Sequence, residues 1–459
     1  MVPTYIGFIV IAIGALLMFA PISAALAFTL FCSLFGAAAA INVPALGGSS
    51  IQPAHLALGF LVLRLILSHL ATQHDLLVAL RRCGFLVAYC LYGAATAFIL
   101  PKIFDGAIDV IPMRAPTAGL YDFYPLRFGP QNITAAVYLI GTLVAAVAGA
   151  MTARRALKPQ TFVRAVLILV WCHIGFGLLD VVLSAAGHGD WFDIVRNGSY
   201  AQLNQSIGEI KRISGTFTET SAYSGYAFFW MVVVCELWLR NIAPTATGVT
   251  VLALVSILLF TTSSTAYVGL AGYGLIMALR MFATPMNLPL SKALRIAAVV
   301  FSALTLGLLL AVISPAFWDM AVGIFRRMTV EKMDSTSGIQ RSLWAKQGFD
   351  AFMASYGLGV GAGSFRSSSI VSAILGSVGV VGMAMFLAHL RALFAPFAFR
   401  THNVRLVSED DAVQLSVSWA LVVGLLPSAI GAPSPDPGLV FGVMSGIALG
   451  LRSKPARGT

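Results

Sequence analysis

The sequence predicts an all-α fold: a polytopic membrane protein of about 12–14 transmembrane helices with a large, partly helical loop on one face. Three observations carry the prediction. Only 10% of the 459 residues are charged and 58% are hydrophobic, where a soluble domain carries about 25% charged residues. The mean hydropathy is +0.88. Apolar runs of about 20 residues, the length a helix needs to cross a bilayer, recur from end to end. A β-barrel would instead show short segments alternating apolar and polar, and the sequence shows none. The chain reads as one integral membrane domain over 1–459.

Thirteen candidate spans fall at 4–20, 22–41, 53–70, 84–101, 132–151, 163–187, 219–240, 246–262, 264–282, 294–314, 367–393, 412–430 and 437–451. Only the Ala20-Pro21 junction separates the first two. No Lys or Arg precedes the first apolar run, so it lacks the charged leader of a cleaved signal peptide and reads as a retained span. Cys32, Cys83, Cys90, Cys172 and Cys235 all lie in apolar runs or beside a basic loop, which predicts neither disulfides nor a cysteine metal site.

Alternate loops differ in charge. One set, containing Arg81, Arg154, Arg280, Arg391 and Arg452, holds sixteen basic residues against four acids; the other holds twelve of each. By the positive-inside rule the first set is cytoplasmic, and so is the C-terminus. The net charge of +11 comes from this bias and implies no nucleic-acid partner. Three segments on the opposite, outer side are long: 102–131, 188–218 and 315–366. Bulk loaded on one face points to recognition or chemistry there.

The last of these segments is the largest. Ser337 and Gln340 have capping-box spacing, which predicts a helix start with Arg341 in its first turn. Arg366 follows the glycine-rich run Gly357–Gly363, and the serines after it precede an apolar run that they are placed to cap. Two arginines at two helix N-termini would favour an anion. In the second loop Arg212 precedes a span that Glu219 opens; an ion pair between the two and a functional site are both consistent with the spacing. In the first, Tyr121, Phe123 and Tyr124 read as an interfacial belt, with Arg114 and Arg127 as solvated loop charges. Within the spans, Glu236 has Arg240 four residues on, an ion-pair spacing, and Arg64 is close enough to a helix end to snorkel. Asp180 has no local partner, which leaves pairing with an arginine from another helix, the favoured reading, or a proton-carrying role in transport.

The sequence has no Walker A run, no Asp-x-Asp in an outer loop and no Gly-x-Ser-x-Gly elbow, and its seven histidines are scattered. The outer face offers arginines, carboxylates, aromatics and serines. That set suits a phosphate-rich amphiphile: arginine binds phosphate bidentately, stays charged and stabilises a departing diphosphate.

Several motifs together resemble the O-antigen ligase and Wzy-type polymerase superfamily of bacterial envelope glycosyltransferases. They are Arg212-Ile-Ser-Gly-Thr-Phe-Thr-Glu219 before a span, Thr261-Thr-Ser-Ser-Thr265 in a tight outer turn, Arg341 opening a helix in the largest loop, and Gly359-Val-Gly-Ala-Gly-Ser-Phe365 followed by Leu375-Gly-Ser-Val-Gly-Val-Val-Gly382. The resemblance implies a multi-pass inner-membrane enzyme acting at the periplasmic face, without metal, cofactor or nucleotide, on undecaprenyl-pyrophosphate-linked oligosaccharide. It also implies work alongside a chain-length regulator and export machinery. It assigns Arg212 and Arg341 to the carrier pyrophosphate and Glu219 to the acceptor hydroxyl as catalytic residues, with Arg366, Lys211, Ser368 and Arg327 as further contacts to pyrophosphate or glycan. Ligases of the superfamily carry a His near the start of the span after the big loop. Here that position falls near Ser368 with no His nearby, which favours a polymerase, with ligation to a lipid A-core acceptor and flipping of lipid-linked sugar as alternatives.

Overall fold

The computed structural model describes residues 2–43, 49–68, 72–113, 122–198, 206–207, 210–283, 290–314, 318–319, 322–323, 326, 331, 335–395 and 408–452. The chain is an all-α polytopic membrane protein. Its helices are α1 Tyr5–Leu17, α2 Ile22–Cys32, α3 Pro53–Leu67, α4 Gln73–Arg82, α5 Gly84–Ile103, α6 Pro130–Arg155, α7 Pro159–Ala185, α8 Thr220–Leu239, α9 Pro244–Phe260, α10 Ser264–Ala283, α11 Leu290–Ile313, α12 Thr336–Ala354, α13 Ile370–Phe394, α14 Glu409–Val423, α15 Leu425–Ser428 and α16 Leu439–Leu451. Each of the thirteen predicted spans falls on a helix, and among the described residues seven helices are long and apolar enough to cross a bilayer by themselves.

The short helices cluster at the N-terminus. α1 and α2 have 13 and 11 residues, reaching only about 20 and 17 Å. The second span therefore ends at Cys32 rather than 41. Residues beyond it turn through a buried, non-helical stretch whose backbone is satisfied from the second long loop: Gly198 N–H donates to the Ala37 carbonyl, Ala37 N–H to Thr216, and Ala39 N–H to Asn197 Oδ1. Irregular backbone at this depth is tolerated because protein covers it. At the other end of this hairpin Arg64 Nε donates to the Ala20 carbonyl at 3.0 Å, so Arg64 caps the α1–α2 junction.

The tightest seam joins α16 to α6. Gly442, Gly446 and Gly450 lie against the carbonyls of Thr142, Ala146 and Ala150, where a β-carbon would come within 2.0–2.4 Å of oxygen. Close approach through small residues is how helices associate in lipid.

The third long loop folds back into the protein. α12 descends beside α13, and Gly357–Gly363 returns along it: Val360 and Gly361 N–H donate to the carbonyls of Gly376 and Ser377, and Val380 N–H to that of Gly357. α13 breaks at Gly379, whose φ of +64° and contact with the Gly357 carbonyl exclude a side chain. Such a break frees helix carbonyls, and the glycine run uses them. The tip is thus held level with a point ten residues into α13, where Tyr356 is 90% exposed and Met353 72%. Above it, Ala351, Val360 and Phe365 pack with Val110 and Leu126 of the first long loop in a small second core.

Candidate functional site

The three long loops meet on one face. Gln347 of α12 joins two of them: its Oε1 accepts from Ile111 N–H at 2.8 Å and its Nε2 donates to the Arg366 carbonyl at 2.5 Å. Arg366 N–H donates back to the Ile111 carbonyl at 3.0 Å. This fixes the backbone of Arg366, and its guanidinium stacks 4.3 Å above the Trp344 ring.

Helix α12 begins at Thr336, capped by Ser335, whose hydroxyl accepts from Gly338 N–H. The predicted Ser337–Gln340 capping box is replaced by this cap two residues earlier, and Arg341 accordingly lies in the second turn rather than the first. The serines before α13 do not cap it either: its N-cap, Ser369, makes no side-chain cap bond, and Ser367 bonds Ser372 instead. Neither arginine owes its place to a helix N-terminus. Side-chain geometry positions both.

Arg341 Nη2 lies 3.3 Å from Ser221 Oγ and 3.9 Å from Glu219 Oε2. Ser221 donates to Glu219 Oε1 at 2.5 Å. Glu219 is the N-cap residue of α8, as its placement before the span predicts, but its carboxylate makes no cap bond and turns to Ser221. Arg212 Nη2 donates at 3.0 Å to the carbonyl of Thr262. Thr262 is in the tight α9–α10 turn and adopts a left-handed φ of +48°, rare for a β-branched residue.

Electrostatics tie these groups together. Burial holds the Arg212 guanidinium below the ordinary arginine range; Glu219 opposes that shift and Arg341 adds to it. Arg366 is lowered by burial, again against Glu219 and with Arg341. Three guanidiniums from separate segments therefore share one field with one carboxylate. Among the described residues, Arg212 Nε, Arg366 Nε, Trp344 Nε1 and Gln340 Nε2 are buried with no hydrogen-bond acceptor. Buried polar groups are normally satisfied, so these donors are able to take an oxygen-rich partner.

The predicted residues divide accordingly. Arg212, Arg341, Arg366 and Glu219 come together. Ser368 serves from behind, its hydroxyl donating to the Arg341 carbonyl rather than facing the cluster. Lys211 belongs to the two-residue strand Ile210–Lys211, next to Arg212. Arg327 lies outside the described residues. Sequence reasoning missed Ser221, Gln340, Trp344 and the Thr262 carbonyl. Trp344, one turn beyond Arg341, was findable by helical spacing; the others depend on contacts between distant segments.

Asp180 is not an isolated charge. It is fully buried, and its carboxylate lies 2.7 Å from Arg196 Nη2. The partner is an arginine of the following loop rather than of another helix. Among the described residues no three His, Cys, Asp or Glu side chains are grouped to hold a metal ion. A cavity of about 240 Å³ lined by Cys32, Ser33, Gln52, Tyr226 and Leu439 touches none of the three arginines. No protein-family model matches the chain, and no curated protein matches it.

Proposed function

We propose that the protein is a membrane glycosyltransferase that moves a glycan from an undecaprenyl-pyrophosphate carrier to an acceptor sugar at the loop-bearing face. The carrying observation is that Arg341 lies 3.9 Å from Glu219 while Arg212 and Arg366 feel the charge of the same carboxylate, with buried donors left over. A diphosphate supplies the missing acceptors, and guanidiniums are suited to hold it.

In this reading the acceptor hydroxyl attacks the anomeric carbon, and the bond from that carbon to the diphosphate oxygen breaks. The proton passes to Glu219. The lipid diphosphate leaves carrying the electron pair, stabilised by the three arginines. The resemblance supports a polymerase of the bacterial inner membrane with its C-terminus in the cytoplasm, making exopolysaccharide or O-antigen from lipid-linked repeat units. The same site would serve a ligase using a lipid A-core acceptor. The transport reading drew on Asp180 as an unpaired charge, and its pairing with Arg196 removes that support.

The test is chain growth by purified protein in lipid supplied with a lipid-linked repeat unit. Arg341→Ala is expected to abolish polymer while the protein stays membrane-inserted. Polymer of normal length and yield from that variant counts against the reading.

A further inference from the structure

The residues between Arg212 and Glu219 are gripped by a buried ion pair outside the arginine cluster. Asp180 projects from the last turns of α7, and its Oδ1 lies 2.7 Å from Arg196 Nη2. Its Oδ2 accepts from Ser214 N–H at 3.2 Å, Ser214 Oγ–H at 3.2 Å and Gly215 N–H at 2.9 Å. Arg196 is 4% exposed and donates through Nε to the Gly215 carbonyl at 2.7 Å. One ion pair thus holds both the N–H and the C=O of a single residue. Gly215 has a left-handed φ of +52°, and a β-carbon there would sit 3.1 Å from the Tyr223 ring. Gly177 makes room for the same tyrosine, since a β-carbon would lie 2.2 Å from its hydroxyl.

We propose that Asp180 and Arg196 are positioning residues for the diphosphate site, fixing the Ser214–Gly215 backbone so that Arg212 and Glu219 project to one point. This role rests on the functional reading above. Arg212 lies two residues before the gripped dipeptide and Glu219 four after it. The turn between is closed by Phe217 N–H on the Ser214 carbonyl at 2.9 Å. A guanidinium and a carboxylate on opposite ends of one loop stay aligned only if the loop keeps its register. Apolar packing stabilises a buried site as well as an ion pair does, but it does not direct individual backbone groups. Fully bonded polar networks do, and functional constellations need that support. The bonding also gives a structural use to this buried carboxylate near the loop end of its span, since it bonds Arg196, Ser214 and Gly215.

The probes are farnesyl diphosphate and farnesyl monophosphate, titrated calorimetrically into the full chain in detergent. Asp180→Asn is expected to weaken diphosphate binding at least about tenfold, the usual cost of loosening residues behind a binding group. It should also erase the preference for diphosphate over monophosphate. Arg196→Lys keeps the charge but loses the hold on Gly215, and should move both readouts in the same direction by less. A pair that only stabilises the fold would lower the thermal midpoint and leave the affinity ratio of the folded fraction unchanged; that result overturns the role. If Asp180→Asn yields no folded protein, Arg196→Lys decides alone. Arg341→Ala is measured alongside. A wild type that binds neither probe, or an Arg341→Ala variant that binds like wild type, overturns the functional reading and this role with it. Lost binding in Arg341→Ala with unchanged affinity and ratio in the Asp180 and Arg196 variants overturns the positioning role alone.

Discussion

Glu236 and Glu219 both sit beside arginines, and they are built in opposite ways. Glu236, in α8, is fully buried. One oxygen meets Arg240 at 2.5 Å, the other meets Arg280 at 2.5 Å, and the Tyr273 hydroxyl donates at 2.9 Å. Arg280 is further covered by the Trp419 ring at 3.8 Å. Glu219, at the head of the same helix, is 31% exposed, and its described arginine contact is 3.9 Å long. The first is a closed network in which the charges answer one another. The second leaves the buried Nε donors of Arg212 and Arg366 without acceptors, and among the described residues no buried donor of Arg240 or Arg280 is left so. Composition alone cannot separate the two; the difference lies in whether hydrogen-bonding capacity is used up.

The sharpest break in the comparison is a crossed pair of substitutions. Glu236→Gln should destabilise the protein by about 3–5 kcal/mol, because it leaves two arginines facing an uncharged group inside the membrane. It is read as lost expression or a lowered thermal midpoint. Arg341→Ala should cost less than about 1 kcal/mol, as expected for a partly exposed pair, yet lower polymer formation by about 10²–10³-fold, the scale for removing a transition-state donor. A reversed pattern, with Arg341 stabilising and catalytically neutral, would make both clusters structural.

A middle-sized effect is expected at Gly379. Alanine there must adopt a φ of +64° and place a β-carbon 2.3 Å from the Gly357 carbonyl. The strain is about 1–3 kcal/mol, and the displacement passes through α12 to Arg341. Gly379→Ala should therefore weaken diphosphate binding as well as lower the thermal midpoint, where an equivalent lesion in the α6–α16 seam, such as Gly446→Ala, should lower the midpoint alone. Equal binding losses in both would mean that the folded-back loop has no special link to the site.

The two clusters were not equally legible in the sequence. Every span, the Thr261–Ser263 turn and the Glu236–Arg240 pair follow from periodicity and spacing, because hydrophobic burial and i,i+4 contacts are local. Arg280 and Tyr273 joining that pair do not, since they come from another helix. At the other cluster the placement of Arg212, Glu219, Arg341 and Arg366 on one face was readable from loop lengths and charge bias. The helix N-termini that the sequence predicts for the two arginines of the third loop do not position them: the caps are elsewhere, and Gln347, Trp344 and Ser368 hold them. Asp180 shows the same limit, because its partner is sixteen residues away across a turn that no periodicity predicts.

The smallest expected effect tests whether Glu219 and Arg341 act as one unit. Ser221 receives from Arg341 at 3.3 Å and donates to Glu219 at 2.5 Å, so it links the two across a gap that they do not close themselves. Ser221→Ala removes one hydroxyl bonded to two charged groups, worth about 1.5 kcal/mol, or roughly tenfold in turnover. If the serine only relays geometry, Ser221→Thr should restore most of that loss, because the hydroxyl returns with one added methyl. If Glu219 and Arg341 are independent, Ser221→Ala should leave turnover within error. The alanine and threonine variants measured together, by rate of chain growth at saturating lipid-linked repeat unit, separate the two cases. A coupled outcome would set the open carboxylate apart from Glu236, whose partners reach it directly and need no relay.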